Sequence, residues 1–133
     1  KTFTVADYYF MKSLVFASST LESDEFNLYR QIFYIIYGSL PKPDLYVYLH
    51  VTPDRLLKNI ELRGRDYEKS IKADYLAGIQ ESYFTFFRQN PENRYLILDV
   101  NNLDFVSRTE DYEMIRDAIF YGELQTGLNF RIF

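Results

Sequence analysis

Residues 44–50 read Asp-Leu-Tyr-Val-Tyr-Leu-His, and their surroundings fix what they can become. Gly38, Pro41 and Pro43 stand before the run and stop any helix from entering it. Thr52-Pro53-Asp54 stands after it: a capping hydroxyl, a proline at the first helical position and an acid in the first turn. A short apolar run bounded in this way is a strand. Its near-continuous apolar character predicts a parallel strand covered on both faces. Parallel strands need crossover connections, so helices should alternate with strands along the rest of the chain.

The remaining sequence alternates as required. Thr2–Ala6, Thr-Phe-Thr-Val-Ala, reads as a first strand ended by Asp7. Tyr8–Ser18 reads as a helix with Phe10, Leu14 and Ala17 on one face and Met11 and Val15 on the next, so it should be buried on more than one side. Ser23-Asp24-Glu25 reads as the start of a second helix, the serine hydroxyl capping it, with Leu28, Ile32, Ile35 and Ile36 as its core stripe. After Thr52, the expected buried stripe is Leu56, Leu57 and Ile60. A charged stretch, Arg63–Lys69, precedes a long helix from about residue 73 that carries Tyr75, Ile79, Tyr83 and Phe87 at steps of four. Tyr95–Asp99 is a third strand, and Thr109-Glu110-Asp111 opens a last helix with Tyr112, Ile115 and Ile119. The tail, 122–133, gives no reading. The fold class is α/β with a parallel sheet.

Composition narrows the function. The length, 133 residues, fits one domain. With 13 Tyr and 12 Phe, the core or an interface must be built from large rings. There is no cysteine, so disulfides and thiolate metal sites are excluded, and a reducing, cytoplasmic setting suits the chain. A net charge of -4 offers no global field for nucleic acid. One histidine, His50, makes a histidine metal site or triad unworkable, and no role is assigned to it. No apolar run reaches the length of a membrane span. The sequence opens Lys1-Thr2-Phe3, without methionine, which reads as a cut inside a longer protein.

Three places carry chemistry. In Arg63-Gly64-Arg65, two guanidiniums flank a glycine at a helix end and can converge on a polyanion, each offering forked donors to phosphate oxygens. The same pattern also serves as a solvated turn with a cation at the helix C-terminus. Asp7 stands where strand meets helix, on the edge of an open sheet where ligands bind; it can sit near a magnesium ion or serve as a helix cap. Asp99-Val100-Asn101-Asn102 follows the third strand on the same edge and can meet a base or simply form a turn. The rings of Tyr8, Tyr9, Phe10, Phe84, Phe86 and Phe87 fit core or subunit packing better than base stacking in so acidic a chain. The phosphate-loop pattern Gly-x-x-x-x-Gly-Lys-Ser/Thr does not occur.

In order, the stretches Val5–Ala17, Leu40–Leu49, Ile60–Glu68 with Asp74-Tyr75-Leu76, and Leu98–Asn101 with Asp104-Phe105 resemble the deoxynucleoside kinase family. The bacterial deoxyguanosine and deoxyadenosine kinase branch looks most similar. The resemblance implies a P-loop-kinase-like parallel sheet, present here without its first two strands, and residues 1–133 as the C-terminal part of one kinase domain. A missing central strand would leave a hole between the strand at Thr2–Ala6 and the next.

The same resemblance implies transfer of the ATP γ-phosphoryl group to the 5′-hydroxyl of a deoxynucleoside, a purine one in that branch, with Mg²⁺. Arg63 and Arg65 would belong to a lid, about 63–69, that closes over the phosphates. Glu68 would bond the sugar 3′-hydroxyl. Asp99, Val100 and Asn101 would lie beside the adenine of ATP. Asp7 would match the acid of the family's Glu-Arg-Ser motif, whose arginine and serine are here Tyr8 and Tyr9. Asn59 replaces another lid arginine of many members. The general base and phosphate loop would lie outside this chain, which alone would be inactive. A homodimer through the 8–18 helix is expected, with no membrane and no nucleic-acid partner. The competing readings are a non-catalytic remnant or dimerisation module, and a thymidylate-kinase-like enzyme acting on a nucleoside monophosphate.

Overall fold

A computed structural model describes residues 3–7 and 9–133. Three strands, β1 (Tyr46–His50), β2 (Arg94–Asp99) and β3 (Gly127–Ile132), form one parallel sheet in the order β1-β2-β3. Five α-helices accompany them: α1 (Met11–Thr20), α2 (Ser23–Ser39), α3 (Pro53–Arg63), α4 (Ala73–Gln89) and α5 (Thr109–Tyr121). The sheet is a packed layer between two cores. On one side Tyr95 and Ile97 meet Met11, Leu14, Val15, Phe33, Tyr37, Phe86 and Phe87 from α1, α2 and α4. On the other, Leu96 and Leu98 meet Val100, Leu103, Ile115 and Ala118 under α5. Period-2 alternation along β2 produces this division, and being covered on both faces it is buried from Tyr95 to Leu98.

The helix alternation and the second and third strands agree with the sequence reading. α1 buries Met11, Leu14, Val15 and Ala17, two adjoining faces as expected, because it packs on both α2 and α4. Tyr8, the expected start of that helix, lies outside the described residues. The tail, for which sequence gave no reading, supplies β3, which pairs with all six residues of β2.

Five expectations are corrected. Of the expected strand Thr2–Ala6, Thr2 lies outside the described residues and Phe3–Ala6 is not a strand. A strand needs a neighbour to take its backbone hydrogen bonds, and no described strand pairs with this segment. Instead the Phe3 ring lies 5.5 Å from Phe120 of α5. The hole was expected between that segment and β1, not among the three described strands, which are contiguous.

The capping of α2 shifts by one residue. Glu22 is its N-cap and shares a capping box with Glu25, so a carboxylate rather than the Ser23 hydroxyl holds the helix start.

The core stripe of α2 lies on its other face. Phe33 and Tyr37 are buried, while Leu28, Ile32, Ile35 and Ile36 are exposed. The helix is apolar on two sides, and the larger rings occupy the core, with Phe33 stacked on Phe10 at 4.8 Å and on Tyr37 at 5.3 Å.

Strand β1 is parallel but not covered on both faces. Val47 and Leu49, on the α5 side, stay exposed because α5 sits over β2.

Finally, the stripe Leu56, Leu57 and Ile60 is only half-buried. α3 packs on α4 rather than on the sheet.

That last departure locates the segment 63–69, expected as a lid. Gln80 of α4 donates from Nε2 to the Val51 carbonyl at 2.6 Å, so Gln80 stands level with the carboxyl end of β1. The preceding residues of α4, 73–79, therefore project about 10 Å beyond the sheet at 1.5 Å per residue. α3 rises beside them, and the segment joining the two helices forms the tip.

Candidate active site at the carboxyl edge

α3 begins where β1 ends. Thr52 caps it, its hydroxyl accepting from the Arg55 amide at 3.3 Å, and Pro53 supplies the fixed φ of the first helical position. It ends at Gly64, whose φ of 71° is left-handed and whose amide donates to the Ile60 carbonyl at 3.2 Å. Glycine is what allows the chain to reverse there, between the two arginines.

The two arginines have different partners. Arg63 donates from Nε to Glu68 Oε1 at 3.1 Å and from Nη2 to Glu68 Oε2, a bidentate pair. The Glu68 hydrogen bond raises the Arg63 guanidinium above its ordinary value, so Arg63 stays charged. Glu68 is largely covered, with 11 % of its side chain exposed, yet a carboxylate taking two such bonds keeps lone pairs for a hydroxyl donor. Arg65 donates from Nη1 to the Tyr67 hydroxyl at 3.2 Å and forms no ion pair with the described residues. The lid thus holds one neutralised guanidinium and one whose charge is unspent.

The loop after β2 is tightly folded. The Asn101 amide donates to Asp99 Oδ1 at 3.1 Å, and Val100 is buried in the core under α5. Asn101 Oδ1 accepts from both the amide and the hydroxyl of Thr52, at 3.0 and 3.1 Å. The side chains of Asp99 and Asn101 therefore hold the loop's own shape. Asn102, at the exposed vertex, makes no hydrogen bond to the described residues.

Asp7 is not a helix cap, since α1 starts at Met11 with Phe10 as its N-cap. Its carboxylate is open to solvent and pairs with Lys12 Nζ at 4.0 Å, while its carbonyl accepts from the same ammonium at 2.7 Å. Among the described residues no cluster of three or more acids or histidines can hold a metal ion. Asp7 alone fits the way magnesium is held on phosphate substrates, by one or two carboxylates with the remaining positions filled by phosphate and water.

The structure brings Arg63 together with Glu68, and the loop together with the start of α3. It does not bring the lid onto the loop, because the 11 residues of α3 separate them by about 16 Å. Asp7 bonds to neither. His50, at the end of β1, lies beside the rings of Tyr48 and Phe84, and its buried Nδ1 has no partner. Sequence reasoning missed Arg55. Its Nη1 donates to the Asn101 carbonyl and its Nη2 to the Leu103 carbonyl at 3.0 Å. A signal was present: a cation in the first turn of a helix, where the dipole opposes it, needs acceptors elsewhere.

A family model described as deoxynucleoside kinase matches residues 1–121. The chain belongs to the deoxynucleoside kinase family. Among its relatives, the deoxyguanosine kinase of Bacillus subtilis is 34 % identical over 115 residues, covering 84 % of this chain and 56 % of the relative. The deoxyadenosine kinase of Dictyostelium discoideum is 30 % identical over 100 residues, 74 % of this chain and 40 % of the relative. The deoxycytidine kinase of Rattus norvegicus is 31 % identical over 117 residues, 79 % and 45 % respectively. The chain thus spans about half the length of the curated relatives it matches. No described helix is long and apolar enough to cross a membrane.

Proposed function

We propose that the whole protein transfers the γ-phosphoryl group of ATP to the 5′-hydroxyl of a deoxynucleoside, with a preference for purines. Family membership supports the reaction. The observation that carries the assignment of residues is the lid: an arginine without an ion pair, Arg65, beside a bidentate Arg63–Glu68 pair, on a tip that projects past the sheet edge. The relatives named above include deoxyguanosine and deoxyadenosine kinases, which supports a purine, and the deoxycytidine kinase makes the substrate panel the deciding measurement.

Phosphoryl transfer is mostly positioning and charge stabilisation. On this reading Arg65 offers its fork to oxygens of the transferred group as charge spreads onto them, where a pre-placed cation acts most strongly. Arg63 adds a second cation while orienting Glu68. Glu68 accepts from the sugar 3′-hydroxyl and sets the depth of the nucleoside. The loop Asp99-Val100-Asn101 flanks the adenine of ATP. Asp7 stands near the phosphates and Mg²⁺, which neutralises phosphate charge when bound. The phosphate-binding loop and general base come from parts of the protein outside these 133 residues, so the 133-residue chain by itself has negligible turnover.

We place the enzyme in the cytoplasm as a homodimer. The part of the expected 8–18 contact that lies in α1 leaves Phe16 exposed, and α2 beside it exposes Leu28, Ile32 and Ile35, which supports an apolar contact on this side.

The test is an assay of the full-length protein with ATP and each of the four deoxynucleosides, with nucleoside monophosphates as a separate arm. Turnover of deoxyguanosine or deoxyadenosine above the pyrimidines is expected. Turnover of a monophosphate alone would shift the assignment to a thymidylate-kinase-like enzyme, and turnover of none would end the kinase reading.

A further inference from the structure

Arg55 is a cation at the third position of a helix that already has a hydroxyl cap and an acid in its first turn. The helix dipole disfavours it there. Its guanidinium is nevertheless half-buried, with its two terminal nitrogens on two different carbonyls, those of Asn101 and Leu103. Neither acceptor lies in a helix or a strand; both flank Asn102. A planar fork is suited to two acceptors held at fixed separation, and an ammonium is not. Thr52, three residues earlier, holds the side chain of Asn101 with two more hydrogen bonds. The first turn of α3 therefore grips the loop on both sides of its exposed vertex.

The other end of α3 carries Arg63 and, after Gly64, Arg65. One helix thus connects the loop to the lid.

We propose that Arg55 is a positioning residue for ATP: by clamping the carbonyls of Asn101 and Leu103, it holds the loop around Asn102 in the shape that meets the nucleotide base. The inference rests on the kinase reading above and adds to it a residue that does not touch substrate. Loss of the fork leaves two carbonyls free to turn and the loop vertex free to move, so the nucleotide site weakens while the deoxynucleoside site does not.

The test is steady-state kinetics on the full-length protein carrying Arg55→Met or Arg55→Lys, varying each substrate separately. Arg55→Met is expected to raise KM for ATP about tenfold, the scale of a lost charge-assisted hydrogen bond, with KM for the deoxynucleoside within about twofold. Arg55→Lys, which keeps the charge but not the planar fork, should fall between. It also serves if the methionine variant does not fold, because a KM for ATP equal to wild type in the lysine variant overturns the proposal. So does an equal rise in both KM values, or a lowered Tm with both KM values unchanged, since either describes general loosening or a structural clamp. If the wild-type protein phosphorylates no deoxynucleoside, the kinase reading itself fails, whereas an active wild type with an unmoved KM for ATP defeats the role of Arg55 alone.

Discussion

Gly64 and Arg65 are neighbours whose substitutions should fail in different ways. At Gly64 an added Cβ would meet nothing within 4 Å, so Gly64→Ala carries only the backbone penalty of a left-handed φ of 71°. That penalty is about 1 kcal/mol, read as a drop of a few degrees in Tm by calorimetry. Arg65→Ala should leave Tm unchanged, because the side chain is exposed and bonds only to Tyr67. In the full-length protein it should lower kcat by roughly 10²–10³, the scale for losing one donor to a developing charge, with little change in KM for the deoxynucleoside. Single-turnover kinetics would check this, and a loss confined to KM would remove Arg65 from the chemistry. At Arg-Gly-Arg the helix end was legible, since a glycine after a run of helical residues marks a left-handed C-cap, while spacing alone does not separate a phosphate site from a solvated turn. Arg55 was not legible, because its partners are main-chain carbonyls 46 and 48 positions away, which carry no residue identity. Asp7 was not legible: the strand expected to set it on the sheet edge does not form, and its carboxylate pairs instead with Lys12 of α1.

Among the elements, α2 shows where periodicity stops being informative. It carries aliphatic residues on one side and aromatic ones on another, and spacing alone does not say which side meets the sheet. Ring packing decides it. Phe33 is 1 % exposed and touches the rings of Phe10, Tyr34, Tyr37 and Phe86. Phe33→Ala should therefore cost the protomer about 3–5 kcal/mol, read from denaturant midpoints, whereas Ile35→Ala, 77 % exposed in the protomer and on the proposed dimer face, should weaken association and leave the protomer's own fold within about 1 kcal/mol. Equal costs would place the aliphatic stripe in the core after all. β1 and β2 were legible because short apolar runs between strong stop and start signals have one reading. The segment Phe3–Ala6 has the composition of a strand yet pairs with no described strand, since composition cannot supply a neighbour. β3 was missed although a signal was present: Leu128-Asn129-Phe130-Arg131-Ile132 alternates apolar and polar, the period of a strand, and pairing with β2 completes it. At the join of α3 and the loop, Thr52→Val and Asn101→Ala should each destabilise by about 1–2 kcal/mol and together by less than the sum, as a double-mutant cycle would read, because both remove the bond from the Thr52 hydroxyl to Asn101 Oδ1.

For the whole molecule, the aromatic core sets the alkaline limit of stability. Burial pushes the Tyr48 phenol up to about 12 and also raises those of Tyr46 and Tyr95 above their ordinary value. These groups are neutral in the folded state at pH values where the unfolded chain would ionise them. Their contribution is complete below the unfolded value of 10.0 and is lost as pH rises from there towards 12. Tyrosinate absorbance should accordingly show Tyr46, Tyr48 and Tyr95 ionising only with unfolding, as Tm falls. A single transition of all the tyrosines near their ordinary value, without loss of Tm, would contradict this. At the opposite end of the sheet from those rings' crowding, α3 stands clear, gripped at its base by the β2 loop and braced along one side by α4. It is mechanically a lever. A tilt of roughly 10° at Thr52 would carry the far end of its ~16 Å length about 3 Å, the width of a hydrogen bond. Fitting a base against the loop and swinging a guanidinium onto a phosphate would then be one motion seen at two radii.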